Sequence, residues 1–148
     1  MRTLPLMFAA LALTAAVPAM AAADENAPSF QNGSVWDFGQ IKTLDGHFDD
    51  YMSWLSTKWK PQQEALKKAG YILSYKVLLV TDPRKDEPDI ILATEYANMA
   101  AFDRSTAEVY ATMAKVNGPL PQASQQQAAR GAIRTILGDM MLREAILK

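Results

Sequence analysis

The stretch "YILSYKVLLVTDPRKDEPDIILATEY", residues 71–96, contains two apolar segments joined by a charged segment. The first segment alternates in the way that a strand requires, since successive side chains of a strand point to opposite faces. Aspartate and proline punctuate the connection, residues 82–88, which is typical of a turn. Two strands joined by so short a loop predict an antiparallel hairpin.

The hairpin is apolar on both of its faces. One face would carry Tyr71, Leu73, Tyr75, Val77 and Leu79, and the opposite face would carry Ile72, Leu78 and Val80. A large apolar side chain left in water forgoes about 1.5–3 kcal/mol of burial. Helices of the same chain can cover one face, and a twofold homodimer with sheet facing sheet would cover the other.

A long helix is predicted before the hairpin, and it includes the stretch "GHFDDYMSWLSTKWKP", residues 46–61. Its positions recur at alternating spacings of four and three, the stripe of one helix face: Phe48, Met52, Leu55, Trp59, Gln62, Leu66 and Ala69. The predicted helix covers residues 46–69, and Gly70 ends it. Pro61 predicts a kink or a break, because an interior proline removes a hydrogen bond and costs about 3 kcal/mol.

Four more elements complete the pattern. Residues 34–44 predict a strand with a bulge or bend at Gly39. Residues 98–116 predict a helix that Asn98 caps, and the sequence "NGP" closes it. A second amphipathic helix is predicted within residues 120–138 from the spacing of Ala129, Ile133, Ile136 and Met140. The tail after Gly138 is predicted to be a strand.

The predicted order is strand, helix, strand, strand, helix, helix, strand. This is the split β-α-β order of a ferredoxin-like α+β sandwich, with one extra helix before the last strand. It predicts a four-stranded antiparallel sheet with helices on one face. Together with the second apolar face of the hairpin, it predicts a homodimer.

The N-terminal residues have the pattern of a secretory signal peptide. Arg2 is followed by an uncharged apolar segment, and "AMAAA" provides the small residues that a signal peptidase requires. Cleavage is predicted after Ala23, with Ala21 nearly as good, and an uncleaved anchor is the alternative. The division is then a signal peptide at 1–23, a disordered leader at 24–33 and a single domain at 34–148, in a protein exported to the periplasm or secreted.

Composition excludes several functions. The chain has no cysteine and a single histidine, so thiolate chemistry and multi-histidine zinc sites are excluded. Without Arg2, the 15 basic residues become 14 against 16 acidic residues, a net charge of −2. The charges form no basic tract, so neither nucleic acid nor an anionic membrane surface is expected as a partner. The apolar run near the N-terminus is shorter than the ~20 residues that span a bilayer, so a stable membrane anchor is not expected either.

Residues 34–148 resemble the dimeric α/β-barrel superfamily, whose members place a Gly-x-Phe-x-x-Tyr turn at the start of the first helix. Gly46, Phe48 and Tyr51 match this turn, and the ending "GDMMLREAILK" is similar to the last strand of small exported bacterial proteins of that type. The resemblance implies a ligand pocket between sheet and helices. It does not imply one chemistry, since the superfamily includes antibiotic-biosynthesis-type monooxygenases, muconolactone isomerases, EthD-like proteins, haem-degrading enzymes and chlorite dismutases.

Six residues are candidates for lining such a pocket: His47, Tyr51, Trp54, Trp59, Tyr75 and Tyr96. For the aromatic residues, helical spacing favours a core role over a pocket role. For His47, a helix start favours a surface or capping role over a ligand or base. No catalytic residue, cofactor or metal site is predicted. The predicted function is binding of a small apolar or aromatic ligand, and the alternatives are a cofactor-independent monooxygenase or isomerase and a structural or partner-binding module without a pocket.

Overall fold

The computed structural model describes residues 26–148. The signal peptide predicted for residues 1–23 lies outside this part of the chain. The described elements, in chain order, are β1 (Phe30–Thr43), α1 (Phe48–Trp54), a π-helical turn (Leu55–Trp59), α2 (Lys60–Lys68), β2 (Ser74–Leu79), β3 (Ile90–Tyr96), a 3-10 turn (Met99–Phe102), α3 (Thr106–Asn117), α4 (Leu120–Ala129), a 3-10 turn (Arg130–Ala132) and β4 (Arg134–Leu147).

The four strands form one sheet in the order β2-β3-β1-β4, and every neighbouring pair is antiparallel. With a helical segment between β1 and β2 and another between β3 and β4, this order is the ferredoxin-like fold. The predicted fold class is therefore confirmed, including the β2–β3 hairpin and the extra helix before the last strand. None of the helices within residues 26–148 is long and apolar enough to cross a membrane.

The first strand is longer than the sequence predicted. It begins at Phe30, which pairs with Leu147, so residues 30–33 of the predicted leader belong to the sheet. A bulge does occur near the predicted bend at Gly39. The pairing shifts between Gln40 and Ile41 because β4 carries one extra residue, Leu137, at that point.

Of the two outcomes predicted at Pro61, a kink or a break, the break does not occur, because the chain stays helical from α1 through α2. The π-helical turn lies just before the proline, and the Lys60 N–H bonds to the Leu55 carbonyl, five residues back. Pro61 then occupies the first turn of α2, where a missing N–H costs little. The Thr57 hydroxyl donates to the Ser53 carbonyl at 2.8 Å within the same turn.

Two helix boundaries differ from the prediction. Asn98 caps only a 3-10 turn, and a second cap, the Ser105 side chain, accepts from the Glu108 N–H to begin α3. The second predicted helix ends at Ala129, and β4 starts at Arg134 rather than after Gly138. Residues 134–138 belong to the strand that pairs with β1, and the β-branched side chains of Thr135 and Ile136 suit a strand.

The core lies between the sheet and the helix that runs from α1 to α2. Its buried members are Ile41, Tyr51, Leu55, Trp59 and Ile90. The opposite face of the sheet carries no helix and is called the open face here. Cross-strand partners share a face, so the open face includes Trp36, Phe38, Leu78, Ile91, Met140 and Leu142.

Candidate functional site

The structure divides the six candidate residues among four places. Trp59 and Tyr75 contact each other edge to face, with ring centroids 5.3 Å apart. Tyr51 and Trp54 stack at 5.6 Å. Tyr96 packs against Phe102 elsewhere, and His47 lies at the start of α1.

Trp59 and Tyr75 line a groove between the first helix and the edge strand β2. The groove has a volume of about 510 Å³, and polar side chains, including Lys60 and Glu64, surround its apolar floor. The Tyr75 hydroxyl donates a hydrogen bond to Glu64. This hydrogen bond is the largest cause of the raised pKa of Tyr75, and burial is the next largest. The groove is wide open, so a small apolar ligand would stay largely in water there.

Tyr96 lines a smaller, more enclosed cavity of about 190 Å³, called the apolar pocket here. It lies where the end of the sheet meets the end of α2, the 3-10 turn after β3, and α3. Its lining residues are Leu66, Tyr71, Ile72, Tyr96, Ala101, Phe102, Arg104, Val109, Thr112 and Met113. Most of these side chains are apolar or aromatic, as is usual for a pocket that takes a small molecule.

A few polar groups border the apolar pocket. The Thr112 hydroxyl donates to the Tyr71 hydroxyl at 3.0 Å, and the Arg104 guanidinium lies 4.1 Å from the centre of the Tyr71 ring. The pKa of Tyr96 is raised, mainly by burial and secondly by the charge of Asp37. The pKa of Asp37 is itself raised, mainly by burial and secondly by the charge of Asp139. The pocket therefore offers neutral hydroxyls and one arginine to a ligand.

His47 is a surface residue of the first helix. It occupies the N-cap position of α1, but its side chain makes no capping bond to the backbone. Instead Nδ1 lies 2.8 Å from Oδ2 of Asp50, and the His47 side chain is 42% exposed. It lines none of the cavities described above.

Tyr51 and Trp54 belong to a fourth environment that includes two arginines. The Arg130 guanidinium lies 4.3 Å from the centre of the Trp54 ring, and the Arg134 guanidinium lies 5.6 Å from that of Tyr51. Neither arginine was a candidate in the sequence. The available signal was the segment "RGAIR", which places two cations four residues apart in an otherwise uncharged region.

Within residues 26–148 there is no group of three or more His, Cys, Asp or Glu side chains that could hold a metal ion. The one histidine faces a single carboxylate, that of Asp50.

No protein-family profile matches the chain, and no curated protein matches it. Among solved structures, HapK from Hahella chejuensis is similar over 74% of this chain and 91% of its own, with 12% identity and a TM-score of 0.50. A dimeric ferredoxin-like protein from an uncultured marine organism is similar over 80% of this chain and 90% of its own, with 9% identity and a TM-score of 0.48.

A dimeric protein of unknown function and ferredoxin-like fold from Bacteroides fragilis is similar over 78% of this chain and 97% of its own, with 18% identity and a TM-score of 0.41. The sequence resembles the dimeric α/β-barrel superfamily, and the strand order of this sheet is the ferredoxin-like fold that two of these descriptions name. At such identities the comparisons concern the fold alone. The chain is an α+β protein of the ferredoxin-like fold.

Proposed function

We propose that this protein is exported and binds a small, largely apolar ligand in the apolar pocket, as a homodimer. The observation that supports the ligand is the largely apolar lining around Tyr96 and Met113, in a cavity that is more enclosed than the groove. When a ligand buries apolar surface in such a cavity, the binding free energy becomes more favourable by about 25 cal/mol per Å².

The size of the apolar pocket limits the ligand. An engineered apolar cavity of about 150 Å³ in another protein holds benzene, and the apolar pocket here has about 190 Å³. A ligand with one ring and a single polar group fits this volume. The polar group would be a hydroxyl or carbonyl, which the hydroxyls of Tyr71 and Thr112 can meet.

The first test uses p-cresol, which has one ring and one hydroxyl. Met113 lines the pocket, so its methyl resonance in a ¹³C-methyl-methionine spectrum reports occupation, and the Met113→Leu variant assigns it. We expect a saturable shift of that resonance in the wild-type protein. Val109→Phe should weaken binding at least tenfold, because the larger side chain takes part of the cavity.

The matched control is Ala107→Phe, which adds the same ring on α3 at an exposed position that does not line the pocket. It should bind p-cresol as the wild-type protein does. No saturable shift in the wild-type protein, or equal binding by Val109→Phe, would contradict the apolar pocket as the site and favour a module without a ligand.

The support for a homodimer is the open face. Leu78, Met140 and Leu142 are 40%, 44% and 47% exposed, and Met140 and Leu142 pair with Phe38 and Trp36 on the neighbouring strand. Large contiguous apolar patches mark interaction sites. A second copy of the chain presents the same apolar face, so twofold pairing covers both faces at once.

The support for export is the pattern of the first residues, which combines a basic start, a short apolar segment and small residues up to Ala23. Cleavage there would produce a mature chain that starts at Asp24. The absence of cysteine in the sequence means that the exported protein would be stabilised by its core and its dimer interface, without disulfides.

A further inference from the structure

Two arginines lie side by side at the end of the helical layer without an acidic partner. Arg130 is the first residue of the last 3-10 turn, and Arg134 is the first residue of β4. Each guanidinium group lies over one of two stacked rings, Arg130 over Trp54 and Arg134 over Tyr51, so the two groups are neighbours. None of the ion pairs within residues 26–148 includes either of them.

Arg134 is the more unusual of the two. It is 8% exposed, and its Nε is buried without a hydrogen-bond partner in the described part of the chain. Arg130 donates from Nη1 to the Gln126 carbonyl at 3.2 Å, but its Nε is also buried and without a partner. Buried donors on charged groups are almost always paired, because leaving them unpaired is costly.

The aromatic rings do not replace a counter-ion. Tyr51 and Trp54 stack with their planes 16° apart, and one guanidinium lies against each ring. A cation–π contact holds a guanidinium by its face and leaves the N–H groups at its edge available for hydrogen bonds. Burial raises the pKa of the Tyr51 hydroxyl against the opposing charges of Arg134 and Arg130, so Tyr51 does not supply a negative charge.

We infer that Arg130 and Arg134 form a binding site for an oxyanion, a carboxylate or a phosphate group of a small molecule. The planar fork of a guanidinium matches the oxygen pairs of these groups, and two adjacent forks give charge-assisted hydrogen bonds to one anion. The rings of Tyr51 and Trp54 contact the faces of the two guanidinium groups, so the N–H groups at the edges stay available to the anion. The site is separate from the apolar pocket, so a failure of the proposed ligand to bind in that pocket would not contradict the anion site.

Isothermal titration calorimetry at constant ionic strength in chloride buffer tests the site with inorganic phosphate and with benzoate. We expect saturable binding of at least one of them. Binding of phosphate would identify the site as one for inorganic or phosphorylated anions, and binding of benzoate alone would identify it as one for organic carboxylates. No saturable heat with either anion would overturn the inference.

Arg130→Gln should weaken the binding at least tenfold, because it removes one charge and most of one fork. The matched control is Arg143→Gln, which removes an exposed arginine further along the same strand. Arg143→Gln should bind as the wild-type protein does. Equal binding by Arg130→Gln would mean that Arg130 does not contact the anion, and an equal loss in Arg143→Gln would mean that the anion responds only to the net charge of the protein; either result would overturn the inference.

A second variant separates binding from folding. Replacing a buried unpaired charge by an apolar residue of similar volume is often neutral or stabilising, so Arg134→Met should unfold at the same or a higher temperature than the wild-type protein in chloride buffer. The bound anion should raise the unfolding temperature of the wild-type protein alone. An equal rise in Arg134→Met would overturn the inference.

Discussion

Asp89 connects the start of β3 to the end of β1. Its carboxylate accepts hydrogen bonds from the Thr43 backbone N–H at 2.8 Å and the Thr43 hydroxyl at 2.6 Å, and its other oxygen accepts from Lys42 Nζ at 2.9 Å. The Asp89 N–H donates to the Ile41 carbonyl at 2.9 Å. One side chain thus fixes the strand end from which the first helix departs.

Burial alone would raise the pKa of Asp89, but the hydrogen bonds from Thr43 and Lys42 outweigh burial and lower the pKa below its ordinary value of 3.8. A carboxylate with a lowered folded-state pKa stabilises the protein fully above the unfolded-state pKa, which is about 3.9. This contribution is lost as the pH falls through the folded-state pKa.

Asp89→Asn should therefore lower the free energy of unfolding at neutral pH by about 1.5–3 kcal/mol, the usual value of hydrogen bonds to a charged group. The difference from the wild-type protein should hold down to about pH 5 and shrink below about pH 4. Urea unfolding at several pH values measures it. Asp86→Asn, an exposed change in the same hairpin connection, is the control, and a pH-independent loss in Asp89→Asn would contradict the role of its charge.

At the scale of one element, the π-helical turn explains how a long helix tolerates Pro61. An interior proline in a regular α-helix is strained by about 3 kcal/mol, and relief of that strain would make Pro61→Ala stabilising. Here the extra residue of the turn precedes the proline, and the Lys60 N–H already bonds five residues back. Pro61 is then unstrained. Its fixed backbone angle reduces the conformational entropy of the unfolded chain, and this stabilises the folded protein.

Pro61→Ala should therefore destabilise the protein, by about 0.4–1 kcal/mol, rather than stabilise it. Urea unfolding measures the sign. Pro121→Ala, at the same early position of α4, should give a loss of similar size. A gain in stability for Pro61→Ala would show that the proline is strained and that the π-helical turn does not accommodate it.

The type of each element was predictable from the sequence, and some boundaries were not. Alternation identified the hairpin, and the stripe through Leu55 and Trp59 identified the first helix. The start of β4 was missed because Ile133 and Ile136 also fit helix spacing, and only the pairing with β1 decides between the two structures. Such pairing is a property of the folded chain and leaves little signal in a local pattern.

The candidate sites were predictable only in part. Aromatic residues are visible in a sequence, so Tyr96 was a candidate, but the apolar pocket also needs Thr112 and Met113 from a helix far along the chain. Arg130 and Arg134 were missed for a different reason. Charged residues are expected at the surface, and Arg134 is buried beside Tyr51, a residue far from it in the sequence.

For the whole molecule, the proposed homodimer depends on the open face. Its exposed residues lie in the centre of the sheet and along the edge strand β4, where Leu142 pairs with Trp36 and Met140 pairs with Phe38. A stable interface covers about 800 Å² on each partner. A charge on this face would be buried without a partner in the proposed dimer, at a cost that a monomer avoids.

Leu142→Lys should therefore convert the dimer to a monomer that stays folded, whereas Tyr110→Lys, an exposed change on α3, should leave the dimer intact. Native mass spectrometry of protein recovered from the host periplasm measures the number of chains in each variant directly.

The wild-type protein should show twice the mass of a chain that starts at Asp24, and a retained ligand would add its own mass. A wild-type monomer would mean that the open face is covered in another way, and a mass that includes residues 1–23 would contradict cleavage of the predicted signal peptide.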